Sequence, residues 1–163
     1  MRNRHKGFSL IELLIVVAII LIIAAIAIPN LLRSRMAANE ASAVSSLRTL
    51  NTACITYSST YGGFPPQMDA LAPPAAGVNP DKTKADIVDQ VLAGLVNTST
   101  KSGYTFTYAP APVDASGNVP SYTVNADPVV VNQTGLRQFF TDQSGVIRFK
   151  VGAKAAVADS PLQ

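Results

Sequence analysis

The chemistry of this chain begins with a carboxylate set in hydrocarbon. Residues Phe8 to Ile28 read FSLIELLIVVAIILIIAAIAI, and only Ser9 and Glu12 interrupt the apolar run. As a helix this stretch is about 32 Å long, enough to cross a bilayer core. A charged side chain in such a segment costs roughly 2.5–3.5 kcal/mol on insertion scales, so Glu12 is a functional-site candidate that needs a cation. No Lys, Arg or His lies between Phe8 and Ile28, so the cation must come from a terminus, another chain or outside the span. The preceding MRNRHKG carries Arg2, Arg4 and Lys6 before Gly7, a short basic leader that holds its own end in the cytoplasm. Cleavage after Gly7 would free the α-amine of Phe8. That cation precedes Glu12 by four positions, one helical turn, or would face a neighbour's Glu12 in a staggered parallel stack.

Other chemistry has little to work with. The single histidine is His5, inside the leader, and the single cysteine is Cys54. Neither a Ser-His-Asp nor a Cys-His site can be assembled, and the usual zinc ligand sets are absent. No phosphate-binding glycine loop occurs, and no spacing singles out a carboxylate pair or a Ser-Lys dyad. These residues do not read as an enzyme's. Its formal charge of +3 and pI near 9.2 invite nucleic acid as a partner, but three of the 13 basic residues belong to the leader. Without them ten basic residues face ten acidic ones, so the basicity serves membrane topology and speaks against nucleic-acid binding.

The elements that would position these groups follow from periodicity. Nearly continuous helix is expected from Phe8 to about Tyr57, kinked or loosened at Pro29. Beyond Pro29 the pattern becomes amphipathic: Ala41, Val44, Leu47, Leu50, Cys54 and Tyr57 form one stripe, with Arg33, Arg35, Glu40 and Arg48 as polar positions. Cys54, on the stripe, reads as a small buried apolar residue. Gly62-Gly63 and Pro65-Pro66 stop the helix. Residues 64–85 are expected to be an irregular loop, and Asp86 to cap a short helix reaching Val96, with Ile87, Val91, Leu92 and Leu95 on one face. Four strands are expected: Tyr104–Tyr108, Ser121–Asn125, Leu136–Thr141 and Val146–Lys150, with turns at Asp114-Ala-Ser-Gly117 and Asp142-Gln-Ser-Gly145. The tail from Gly152 is expected to fray. The fold class is α+β: a long N-terminal helix, apolar in its first half, on a small antiparallel sheet.

The residues Lys6 to Ile20, KGFSLIELLIVVAII, resemble the class III signal of type IV pilins and pseudopilins, with the short leader of one pilin class. The specific resemblance covers roughly residues 6–35. It implies cleavage between Gly7 and Phe8 by a prepilin peptidase, N-methylation of Phe8, and roles in assembly for Phe8, Glu12 and Pro29. It divides the chain into a leader (1–7), a transmembrane or filament-core helix (8–29), an amphipathic continuation (30–61) and a globular head (62–163). The implied partners are further copies in a helical filament, an inner-membrane assembly platform and an assembly ATPase. The implied course runs from the inner membrane, head outside the cytoplasm, to an extracellular pilus. No cofactor is implied firmly. The major pseudopilin binds calcium in a C-terminal loop, which makes Asp127 and Asp142 candidate ligands, although Asp-x-x-Gly also reads as a turn. Many pilins close this region with a disulfide, which one cysteine does not allow, so packing, hydrogen bonds or a metal must hold it.

Several alternatives stay open at this level. Ala25-Ile26-Ala27 fits the cleavage site of an ordinary secretory signal, though the run is too long and carries a charge. A simple signal anchor explains the length but neither Gly7-Phe8 nor Glu12. Within the family, the product is a surface pilus, the short periplasmic pseudopilus of a type II secretion system, or a minor pilin acting as a tethered binding module. Asn97-Thr-Ser99 and Asn132-Gln-Thr134 fit the N-glycosylation acceptor pattern and equally fit turns. Tyr104, Phe106, Tyr108, Phe139 and Phe140 fit either an adhesive surface or a core. Arg33 and Arg35 fit lipid phosphates, a neighbour's acid or simple solvation.

Overall fold

The computed structural model describes residues 8–162. Helix α1 spans Leu10–Tyr61, a 3-10 turn Met68–Leu71, and a one-turn helix α2 Gln90–Ala93. Five strands follow: β1 Thr98–Lys101, β2 Tyr104–Pro110, β3 Tyr122–Pro128, β4 Arg137–Asp142 and β5 Arg148–Val151. They form one antiparallel sheet in the order β1-β2-β3-β4-β5, each strand paired with its sequence neighbour. The architecture is α+β and pilin-like. The chain divides after Arg35 into two units.

The first unit is the apolar part of α1. Its side chains are exposed almost throughout, with Ile11, Leu14 and Ile19 each more than half accessible. A helix surface that is apolar almost all round suits lipid or other helices. Helix α1 is assigned without interruption through Pro29. The missing N–H of Pro29 removes one intrahelical bond without ending the helix.

The second unit is a helix-on-sheet sandwich. Residues Ala43, Val44, Leu47, Leu50, Cys54 and Tyr57 of α1 are buried against the inner face of the sheet. That face alternates as period-2 patterning demands: Tyr104, Phe106 and Tyr108 from β2, then Tyr122, Val124 and Ala126 from β3. The aromatic residues Tyr104, Phe106, Tyr108, Phe139 and Phe140 are all buried, so they are core and present no adhesive surface.

Several expectations need correction. The stripe on α1 runs through Ala43 rather than Ala41, which is exposed, and the polar position Glu40 is buried. The short helix has its cap at Asp89, whose carboxylate accepts from the Leu92 N–H at 2.7 Å. Asp86 instead has φ 54°, and Val91 and Leu95 are exposed. Strand β1 was not anticipated because Thr98-Ser-Thr-Lys101 is polar; it pairs with only one neighbour, at the sheet edge, and buries Ser99 alone. The 64–85 segment is irregular but not peripheral: Met68, Leu71 and Ala72 are fully buried.

Candidate functional site

Two regions carry the candidate residues. At the N-terminus, Phe8 is 82% exposed. Ser9 precedes the first helical residue; its carbonyl accepts from the Leu13 N–H at 3.2 Å, and its own N–H donates to Glu12 Oε2 at 2.9 Å. Glu12 therefore reaches back over the first turn of α1, the reciprocal half of a capping box, and places its charge at the positive end of the helix dipole. The signal for this cap is the S-x-x-E spacing of Ser9 and Glu12, legible in the sequence. A terminal amine on Phe8 would be one residue from the N–H that Glu12 already holds. Gly7, the leader and the cleavage step lie outside the described residues.

The second region is the C-terminal segment, expected to fray. It docks along β5. The Phe149 N–H donates to the Ser160 carbonyl at 3.1 Å and the Leu162 N–H to the Ile147 carbonyl at 2.7 Å. Arg148 Nη1 donates to the Asp159 carbonyl at 3.0 Å, and Lys150 Nζ lies 3.2 Å from the Asp159 carboxylate. Ala155 is buried, and its carbonyl accepts from Asn125 Nδ2 at 3.0 Å. The Ala156 N–H and Lys150 together hold the Asp159 carboxyl below its ordinary value. The tail thus covers the free edge of β5 and closes the region with main-chain bonds instead of a disulfide.

The two calcium candidates lie on β3 and β4 but are not brought together. Asp142 is opposite Thr123, four positions along β3 from Asp127, a separation of about 13 Å. Asp142 Oδ1 accepts from the Ser144 N–H at 2.8 Å in a side-chain turn. Asp127 Oδ2 sits 3.8 Å from Lys154 Nζ, and its Oδ1 is buried without a hydrogen-bond partner. Burial raises the Asp127 carboxyl above its ordinary value despite Lys154. Among the described residues no three His, Cys, Asp or Glu side chains converge on one point.

The helix meets the sheet through two polar junctions that sequence reasoning missed. Glu40 Oε1 accepts from the Leu136 and Arg137 N–H groups at 2.8 and 3.0 Å, while Oε2 lies 2.7 Å from Arg137 Nε. Burial alone would raise the Glu40 carboxyl, but these donors outweigh it and hold it below the ordinary value. Asn51 Nδ2 donates to Thr141 Oγ1 at 2.8 Å, and Tyr122 donates its hydroxyl proton to Asn51 Oδ1 at 3.1 Å. Beside them Cys54 is fully buried, and burial pushes its thiol up to about 12. It is a core residue, inert as a nucleophile. Of the two acceptor triplets, Asn97 spends its side-chain oxygen on the Met68 N–H, whereas Asn132 is exposed in a turn at φ 65°.

The prokaryotic N-terminal methylation motif matches residues 2–28. The chain therefore carries a type IV prepilin motif at its N-terminus, ahead of an α+β helix and sheet. More particularly, the type IV wide pilus major component PilA4 of Thermus thermophilus is 68% identical over 40 residues, 24% of this chain and 30% of that protein. The type IV major pilin protein PilA of Myxococcus xanthus is 52% identical over 50 residues, 31% of this chain and 23% of that protein. The matches thus span under a third of either relative's length. No solved structure gives a significant match.

Proposed function

We propose that this chain is a structural subunit of an extracellular type IV pilus. The observation that carries the proposal is the N-terminal segment: an exposed apolar helix face, a matched methylation motif, and Glu12 closing on the backbone next to Phe8. The leader orients the chain, a prepilin peptidase cuts after Gly7, and Phe8 becomes the N-methylated first residue. The apolar half of α1 then waits in the membrane. On extraction by an assembly ATPase and its platform, the same surface packs against other copies, exchanging lipid for helix contact. Glu12 compensates the Phe8 amine of its own or a neighbouring copy, which favours one axial register and penalises others. Pro29 loosens the helix where membrane and head portions meet. No resident cofactor and no catalytic step of its own are part of this function.

A pseudopilin of a type II secretion system is the second reading. It is favoured by a C-terminal segment closed without a disulfide, by strand-like pairing of residues 159–162 with β5. The names of both relatives favour the pilus. Shearing cells, imaging the released material and weighing its main subunit decides between them. Long fibres of a chain beginning at Phe8 support the pilus. A Phe8-started chain retained in the envelope without fibres supports the pseudopilin or a minor pilin. A chain starting after Ala27 overturns the whole proposal.

A further inference from the structure

The last turn of α1, the segments 63–70 and 82–84 and the β2–β3 connection enclose a cleft of about 510 Å³. Small-molecule sites run from about 300 to 1,000 Å³. Every wall belongs to the second unit and is fixed by its own bonds. Tyr57 donates its hydroxyl proton to the Lys82 carbonyl at 2.6 Å, which ties the 82–84 loop to the helix. Asp81 Oδ1 accepts from the Thr83 and Lys84 N–H groups at 2.7 and 3.1 Å, and Lys84 Nζ lies 2.6 Å from Asp69 Oδ1. Opposite, the Phe64 N–H donates to the Val119 carbonyl at 3.0 Å, and Asp114 Oδ1 accepts from the Ser116 and Asn118 N–H groups at 2.8 and 3.0 Å. Gly63 permits that closeness, because a Cβ there would stand 2.9 Å from Asn118 Cβ. A cleft so firmly held loses little conformational freedom when it is filled.

What the walls leave unused defines the occupant. Among the described residues, the Tyr61 hydroxyl, the Gln67 and Asn118 side-chain amides and the Lys82 ammonium line the cleft without a partner in the protein. Hydroxyls and amides both donate and accept, so they suit ligand hydroxyls, which do the same. The half-buried rings of Tyr61 and Phe64 add an apolar surface for a C–H face. The carboxylate on the lining, Asp69, is held by Lys84, and Asp81 does not line the cleft, so Lys82 is the uncompensated charge and selects a single anionic group. A nucleotide would bring several phosphate charges to one free cation. A peptide would need a free main-chain edge, whereas Phe64 is paired with Val119 and Lys84 with Asp81. We propose that the cleft binds a hexuronic acid, a sugar ring carrying one carboxylate, as the free acid or within an acidic polysaccharide. The carboxylate meets Lys82, the hydroxyls meet Gln67, Asn118 and Tyr61, and the C–H face lies on the aromatic rings. The inference stands apart from filament assembly, since every residue of the cleft lies in the second unit.

The test titrates the full chain in detergent with galacturonic acid, digalacturonic acid and the neutral disaccharide galactobiose, followed by calorimetry. Digalacturonic acid should bind at least about tenfold more tightly than galactobiose. Lys82→Gln should erase that preference and Lys82→Arg should keep it. Asn118→Ala should weaken both disaccharides, and Arg48→Ala, an exposed cation outside the cleft, should change neither. Circular dichroism checks that each variant is folded. The methyl ester of digalacturonic acid removes the charge without touching the protein and should bind like galactobiose. A single ring that binds as well as two identifies the free acid, and a gain from the second ring identifies the polysaccharide; either sustains the inference. No binding of either acid at millimolar concentration overturns it, as does equal binding of acid and ester to the wild type. Tighter binding of adenosine monophosphate or of an acetylated tripeptide overturns the sugar in favour of that ligand.

Discussion

Glu40 grips Arg137 twice, through the backbone N–H at 3.0 Å and through the guanidinium Nε at 2.7 Å. The residues are 97 positions apart in sequence, and the contact fixes the start of β4 against α1. The same carboxylate takes the Leu136 N–H, so one side chain satisfies two main-chain donors and one cation at the helix–sheet seam. Glu40 is 7% exposed, and removing it would leave those donors buried without acceptors.

Glu40→Ala should therefore cost about 3 kcal/mol of stability, and Glu40→Gln less. Denaturant unfolding of the full chain in detergent measures both. The folded carboxyl lies below its ordinary 4.5, so its contribution is complete above that pH and is lost as pH falls through the folded value. Wild type should lose stability on acidification below about 4.5 more steeply than Glu40→Gln. Parallel pH profiles would sink the assignment.

Asp127 has the opposite sign. Its folded carboxyl is raised above the ordinary 3.8, because burial outweighs Lys154. The charged form is thus a liability that sets in as pH rises above 3.8 and is complete once pH passes the folded value. Asp127→Asn should stabilise the protein at neutral pH by about 1 kcal/mol, with the gain vanishing below pH 3.8. A melting series against pH tests it. A loss of stability at pH 7 that only calcium-containing buffer reveals would instead point to a metal at this carboxylate.

Glu12 joins a helix cap to a charge set within the apolar run, and two variants separate these. Glu12→Gln keeps an acceptor for the Ser9 N–H but removes the charge; Glu12→Ala removes both. Both should insert and be processed, and both should fall at least about tenfold in filament yield if the charge sets register. Recovery with Gln alone would show that the cap is what matters. Normal yield from both would defeat the assembly role.

Cys54 should resist alkylation in the native protein, because burial pushes its thiol up to about 12 and leaves it no access to reagent. Labelling should appear only with global unfolding, so its denaturant midpoint should match that followed by circular dichroism. Labelling at zero denaturant would show that the helix opens away from the sheet.

Asp159 anchors the C-terminal segment beside β5. Asp159→Ala should speed amide exchange at Phe149 and Leu162 while leaving β2 and β3 unchanged. Unaltered exchange at those two amides would mean that the main-chain pairing alone holds the tail.

The N-terminal half of this protein was legible in sequence because its signal is local. A run of about 20 apolar residues needs no partner to be recognised, and the Gly7-Phe8 and Glu12 pattern is read along a single stretch. The strands β2 and β3 were legible for the same reason: alternation in Tyr104–Tyr108 and Tyr122–Val124 is written into neighbouring residues. What tertiary structure decided was the fate of polar groups. Glu40 read only as a polar position of the helix; its partners come from Leu136 and the start of β4. Thr98–Lys101 became a strand through pairing with β2, against its own composition. The Ala-rich tail was expected to fray and instead found hydrogen bonds on the edge of β5. Hydrophobic period is a property of adjacent residues, so sequence determined where the apolar helix and the core strands lie. Satisfying a buried charge or a sheet edge takes a donor or acceptor from far along the chain, so only the folded molecule could decide how the head is closed.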